Sequence, residues 1–273
     1  MSLTVYDNGQ DFLNDNYAIL QKNPIETNFF KLNAKNMHDM SNGFVCKLTE
    51  DNRFVLALGF KKYPMLIFGD NSLLRSLALN LTQQNFTFDR ILAPAETAKS
   101  FINCFEQIYG GDHEIVHSMD IMMCTKLIKN DTNTSSVEYA KQSDVQEIAN
   151  IIYQFNLNVH QHSEPISTFV DDVKNRINNF VLIRLDNKIV SIAQKTREDE
   201  NLCSISSVYT REDYRCRGLS RKIMTFLTNQ IIESGKIAYL FVDKTNPISN
   251  HLYTSIGYSY ISPQMEIRYF PRK

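Results

Sequence analysis

Apolar residues in the second half of this chain alternate between a helical period of about 3.6 and a strand period of 2. Val145, Ile148, Ile152 and Phe155 recur at helical spacing behind Gln142-Ser143-Asp144, which predicts a capped helix running to about Asn156. A second helix is predicted over 167–178. Two strands follow, 180–185 and 188–195, and Asp186-Asn187 between them suits a two-residue hairpin turn. Residues 202–210 form a further strand. Leu219, Ile223, Phe226, Leu227 and Ile231 share one face of a helix that Gly235 stops. A continuous apolar strand over 237–242 precedes a short helix, 247–256, closed by Gly257. Two last strands are expected within 258–269, and a short one at 137–139.

The first half is less regular. Strands are predicted at 54–60, 65–68 and 90–93, and helices at 71–84 and 96–109, the second ended by Gly110-Gly111. Leu73, Leu74, Leu77 and Leu81 lie on one stripe, too short for a zipper and read as core. Residues 114–127 read as extended. One or two helices are expected near 11–21. Between the halves, Lys129-Asn130-Asp131-Thr132-Asn133-Thr134-Ser135-Ser136 has no apolar residue and favours turns. This seam places an N-terminal domain at 1–130 and a second at 137–273.

Composition narrows the classes. The chain has 273 residues, 29 Lys and Arg against 30 Asp and Glu, and 43% hydrophobic residues. A near-neutral chain with an ordinary apolar fraction builds a real core and does not resemble a nucleic-acid-binding polycation or a disordered tail. Glycine and proline are scarce, 9 and 7. The five cysteines (Cys46, Cys104, Cys124, Cys203, Cys216) are scattered without a C-x-x-C, so a reducing, cytoplasmic setting is the simpler expectation. No secretory h-region and no run long enough to span a membrane is visible.

One stretch carries chemistry: Val208-Tyr209-Thr210-Arg211-Glu212-Asp213-Tyr214-Arg215-Cys216-Arg217-Gly218-Leu219-Ser220. A strand ends, a loop turns and a helix begins near Gly218. The first N–H groups of a helix lack internal partners and, with the helix dipole, form an anion site. Gly218 and the small Ser220 admit phosphates close to the backbone. Residues 211–222 hold five basic side chains (Arg211, Arg215, Arg217, Arg221, Lys222) against two acidic ones. The pattern reads as a diphosphate cradle. It is neither a P-loop nor a Rossmann fingerprint, whose glycine patterns are absent.

A second stretch, Asn246-Pro247-Ile248-Ser249-Asn250-His251-Leu252-Tyr253-Thr254-Ser255-Ile256-Gly257-Tyr258, starts a helix at Pro247 with Asn246 as the N-cap candidate. Asn246, Asn250 and Tyr253 then share one helix face.

Together the two stretches resemble the GNAT superfamily of N-acetyltransferases. The family's phosphate motif, Q/R-x-x-G-x-G/A, is met by Arg215 and Gly218, with Ser220 in place of the usual glycine or alanine. The order of elements from Val137 onward also matches, so the resemblance covers about half the chain. It implies an α+β fold for 137–273: a mixed, mostly antiparallel sheet flanked by helices. It implies acetyl-coenzyme A (acetyl-CoA) as cofactor. Val208 and Thr210 would pair with the pantetheine arm through their main chains. The backbone of Arg215, Cys216, Arg217, Gly218, Leu219 and Ser220 would hold the pyrophosphate, with Asn246 and Asn250 along the arm. The N–H groups of Val208 and Tyr209 would face the developing oxyanion, and Tyr253 would protonate the leaving thiolate. The acceptor would be a primary amine of a small molecule or peptide, attacking directly.

No general base is evident. The strand Leu202-Cys203-Ser204-Ile205-Ser206-Ser207-Val208 holds no carboxylate; Glu198 and Glu200 precede it, Glu164 falls on a candidate substrate loop, and a water chain past Ser206 is an equal alternative. His160-Gln161-His162 lacks a third ligand and reads as a loop, so no metal is expected. His251 reads as a surface residue and Cys216 as a tolerated side chain. Residues 1–130 are expected to form a second α+β domain. One reading makes it a degenerate domain of the same type that walls the acceptor cleft; the other gives it a stabilising role alone. Two further functional classes stay open: a non-catalytic acetyl-CoA-binding regulatory module, and a paired-domain transferase of larger acyl or aminoacyl groups. No nucleic acid or membrane partner is expected.

Overall fold

The structure is a computed structural model that describes residues 1–38, 43–60, 63–128, 133–160 (backbone only at 158–160) and 164–272. The seam at 129–136 falls partly outside these residues, as does most of His160-Gln161-His162.

In chain order, the first part contains β1 (Ser2–Val5), α1 (Gly9–Asp15), α2 (Tyr17–Lys22), α3 (Asn28–Lys35), β2 (Gly43–Glu50), β3 (Arg53–Phe60) and β4 (Tyr63–Gly69). It continues with α4 (Leu74–Gln83), β5 (Arg90–Pro94), α5 (Ala95–Tyr109) and β6 (Asp112–Cys124). Then come β7 (Val137–Tyr139), α6 (Val145–His160), α7 (Ile166–Arg176), β8 (Phe180–Leu185), β9 (Lys188–Thr196) and β10 (Leu202–Thr210). The chain closes with α8 (Leu219–Glu233), β11 (Ile237–Asp243), α9 (Pro247–Ser255) and β12 (Ser259–Phe270).

By compactness the chain forms two units. One comprises 1–121 with 242–247 and 260–273; the other comprises 122–241 with 248–259. This grouping does not follow the seam, because β12 pairs antiparallel with β5 through Gln264↔Pro94 to Arg268↔Arg90.

In the first unit the strands run in the order β1-β2-β3-β4-β5-β12-β6; β1 to β4 pair antiparallel, β4 and β5 parallel, and β5 and β12 antiparallel. Its central strands are apolar on both faces, because helices cover both. Phe12, Leu20, Phe30 and Ala34 from α1–α3 pack on Val45, Leu56, Leu58 and Leu66. Leu74, Leu77, Leu81, Phe101 and Ile102 from α4 and α5 pack on the alternate residues Cys46, Leu48, Val55, Ala57 and Ile67. The expected leucine stripe is therefore core.

In the second unit the order is β11-β10-β9-β8-β7, antiparallel except for β10 beside β11. Ile148, Ala149, Val173 and Ile177 of α6, α7 and the turn after α7 cover Phe180, Leu182, Ile189 and Ile192. Helix α8 lies against β8, β9 and β10 and buries Leu219, Ile223, Met224, Leu227 and Ile231. The expected mixed, mostly antiparallel sheet flanked by helices is observed, as is a second α+β arrangement among the N-terminal strands.

Three expectations need correction. Beyond the one or two helices expected near 11–21, which are α1 and α2 divided at Asn16, the N-terminal 35 residues hold a strand, β1, and a third helix, α3, that were not anticipated. Strand β2 was not anticipated; its Lys47, Thr49 and Glu50 dilute the apolar signal. Residues 258–269 form one strand and not two, since Ser262-Pro263 lacks a positive-φ turn residue and the proline removes a donor without reversing the chain.

Candidate functional site

The site is built from β10 outward. Against β9 the strand is antiparallel, with a β-bulge between Ser206 and Tyr209 where Ser207 takes φ +51°. Against β11 the parallel register covers Leu202↔Ile237, Cys203↔Ala238 and Ser204↔Tyr239. The two parallel strands thus part beyond Ser204, and the bulge increases the divergence. The Arg211 N–H bonds the Val190 carbonyl at 2.9 Å. By alternation Tyr209 also faces β9, so the main-chain groups of Val208 and Thr210 turn to the side from which β11 has departed.

Past Thr210 the chain makes one 3-10 turn over Glu212–Tyr214 and passes through two left-handed residues, Cys216 (φ +61°) and Gly218 (φ +72°). Gly218 is the N-cap of α8, and no side chain caps this helix. Its first bond runs from the Lys222 N–H to the Gly218 carbonyl. A Cβ added at Gly218 would meet nothing within 4 Å, so the dihedral demands glycine here and the space before the helix is open. Arg215, Cys216 and Arg217 are exposed and Leu219 is buried.

The basic residues divide. Arg211 donates to the Ile189 carbonyl (2.6 Å) and pairs with Glu147 (3.2 Å), so it belongs to the β9 side and not to the loop. Arg215 reaches the Thr210 carbonyl through Nε (3.3 Å) and sits 3.4 Å from Glu212. The Arg217 guanidinium lies 5.0 Å from the Tyr214 ring centroid. Arg221 donates to Ser255 Oγ (2.8 Å), which fastens the first turn of α8 to the end of α9. An uncapped helix start flanked by exposed arginines suits an anion, and the open space before Gly218 fits a diphosphate.

On α9, Tyr253 is 7% exposed, and burial raises its phenol pKa to about 12. Its ring lies 5.9 Å from that of Tyr258, whose hydroxyl shares a 2.7 Å hydrogen bond with Thr228 of α8. Among the described residues the Tyr253 hydroxyl has no hydrogen-bond partner. Asn250 is half-buried, and Asn246, just before α9, is exposed.

A polar face on the strands themselves escaped sequence reasoning. Thr196 and Ser204 are cross-strand partners, as are Gln194 and Ser206. Gln194 Nε2 donates to Ser207 Oγ (2.7 Å), Thr196 Oγ1 to Ser206 Oγ (3.3 Å), and Arg197 Nη2 to Ser204 Oγ (2.6 Å). Arg197 also lies 5.3 Å from the Phe241 ring centroid and bonds the buried Tyr239, whose phenol pKa is raised by burial. The register between 194–196 and 204–206 was the missing signal.

The carboxylates considered as bases are elsewhere. Glu198 bonds Lys236 Nζ at 2.6 Å and raises its pKa. It precedes Leu202, and at 3.3 Å per residue the strand carries Val208 about 20 Å further on. Glu164 is exposed just ahead of α7, and His251 is exposed on α9. In the first unit Glu106, Asp112 and His113 form a surface cluster in which His113 Nδ1 lies 2.7 Å from Glu106.

Residues 182–267 match the family of FR47-like proteins. No curated protein sequence matches the chain. Among solved structures, an acetyltransferase of the GNAT family from Colwellia psychrerythraea superposes with a TM-score of 0.60 at 10% identity, over 100% of both chains. A GCN5-related N-acetyltransferase from Sphaerobacter thermophilus gives 0.58 at 11% identity, over 89% of this chain and 85% of the other. One from Kribbella flavida gives 0.53 at 17% identity, over 83% and 90%. At these identities the likeness is one of fold. The C-terminal half has the GNAT fold that its two motifs suggest, and the similarity extends over the N-terminal part as well.

Proposed function

We propose that the chain is an acetyl-CoA-dependent N-acetyltransferase whose catalytic part is the second unit, 122–241 with 248–259, in place of the 137–273 expected from the seam. One observation carries this reading. The strand that splays from its parallel neighbour runs, within a few residues, into an uncapped helix start at Gly218. An open strand edge and an anion site at its end suit a ligand with an extended amide arm and a diphosphate.

Bound acetyl-CoA supplies a thioester carbonyl open to direct attack by an amine. On this reading the N–H groups from Arg215 to Ser220 bind the diphosphate, and Arg215 and Arg217 add charge. The outward main-chain groups of Val208 and Thr210 bind the amide arm, and Asn250 lines it. The outward N–H of Val208 stabilises negative charge on the carbonyl oxygen, whereas the Tyr209 N–H, which the resemblance would also have placed there, faces β9. Tyr253 holds its proton at any pH below about 12 and donates it to the departing sulfur. The hydroxyls of Ser206, Ser207 and Thr196 give the acceptor's proton a route out through water.

The test is release of free thiol with a panel of primary amines. Tyr253→Phe is expected to cut kcat by about 10²-fold or more with little change in acetyl-CoA affinity. A second reading, a non-catalytic acetyl-CoA-binding module, draws support from β10, which carries no carboxylate, and from the engagement of Glu198 by Lys236. Tight binding without turnover for any amine would establish the module instead.

A further inference from the structure

Three buried or half-buried hydroxyls connect the start of α8 to the sheet. Ser191 Oγ lies 3.0 Å from the Tyr209 carbonyl, Ser191 Oγ and Thr210 Oγ1 are 2.8 Å apart, and Thr210 Oγ1 and Ser220 Oγ are 2.9 Å apart. Ser191 is 1% exposed and Thr210 is 7% exposed. A carbonyl only accepts, and each hydroxyl has one hydrogen. Only one arrangement therefore makes all three contacts hydrogen bonds. Ser191 donates to Tyr209, Thr210 donates to Ser191, and Ser220 donates to Thr210.

We propose that Ser191, Thr210 and Ser220 act as positioning residues, a polarised hydroxyl chain that latches the helix start to β9 and β10 and holds the cradle's N–H groups preformed for the diphosphate. This rests on the cradle reading above. The Ser220 proton points into the protein, so toward a ligand its oxygen presents lone pairs only. Ser220 thus serves the anion by fixing the backbone and gives it no hydrogen bond of its own. The hydroxyl, where glycine or alanine would leave the helix start untied, is what makes the latch. The chain also spans the bulged part of β10: Thr210 lies at its end and Tyr209 at the bulge itself, so the latch sets the arm-binding edge and the diphosphate-binding loop in one register.

The experiment measures the acetyl-CoA Kd by calorimetry and KM against kcat for Ser220→Ala, Thr210→Val and Thr210→Ser, with thermal unfolding followed in parallel. Each lost hydrogen bond is expected to raise Kd and KM about fivefold to tenfold, with kcat moving less than KM. Thr210→Val keeps the shape and breaks two links, whereas Thr210→Ser restores the hydroxyl and should restore the affinity. If Ser220→Ala alone weakens binding while Thr210→Val does not, Ser220 contacts the ligand directly and the latch is wrong. Kd unchanged in both Ser220→Ala and Thr210→Val, even with lowered melting temperature, leaves only a structural role and also overturns it. Gly218→Asp separates this failure from that of the cradle. If Gly218→Asp abolishes binding while the hydroxyl variants bind normally, the latch alone fails. If Gly218→Asp binds normally, the cradle fails with it.

Discussion

Gly218 shows how a single residue joins sequence to geometry. Its φ of +72° lies where a Cβ is costly, yet nothing stands within 4 Å of where that Cβ would be. Gly218→Ala is therefore expected to lower unfolding stability by about 1 kcal/mol through the dihedral alone, measured by urea titration. A loss beyond about 3 kcal/mol would mean that packing, not backbone freedom, fixes this position. The Arg-x-x-Gly pattern was legible because a helix entered through a left-handed residue favours glycine at that position. The hydroxyl chain behind it was not, since Ser191 lies far away in sequence and only the β9/β10 register brings it to Thr210.

Elements follow the same division. The link Asp186-Asn187 between β8 and β9 was readable as a tight hairpin, and both residues take positive φ, 49° and 62°. Such a turn matches the strand twist but strains residues that carry a Cβ. Asn187→Gly should accordingly raise the melting temperature by a few degrees, and Asn187→Val should lower it, as read by calorimetry. No change in either would show that the strands and not the link set this hairpin. Helices with long apolar stripes, α4, α5 and α8, were legible from periodicity. Strand β2 and the continuity of β12 were not. Both depend on which neighbours the strands find, and local pattern is silent about that.

For the whole molecule, the buried thiols and phenols set a pH response. Burial raises the Cys46 and Cys203 thiol pKa values from 9.0 to about 12, and Tyr253 moves from 10.0 to about 12. Between about pH 9 and 12 the unfolded chain sheds these protons while the native chain keeps them. The unfolded state then binds fewer protons, so stability falls as pH rises through that window and is flat with respect to these groups below it. Chemical unfolding at pH 8, 9.5 and 10.5 is expected to give a declining series that Cys46→Ala makes shallower. A series that rises with pH would contradict the burial of these groups. The two-unit grouping was the least legible feature at this scale. The polar seam divides the chain by composition, but β12 returns to pair with β5, which composition does not encode.

The early parting of β10 from β11 also bears on survival of the protein when nothing is bound along that strand. A strand edge without a neighbour invites pairing with another chain, and a guest molecule lying along it removes that hazard. By mass action a guest at a hundred times its dissociation constant adds about 2.7 kcal/mol to native stability. On the proposed function, the lifetime of each copy against aggregation and proteolysis would track the local supply of acetyl-CoA.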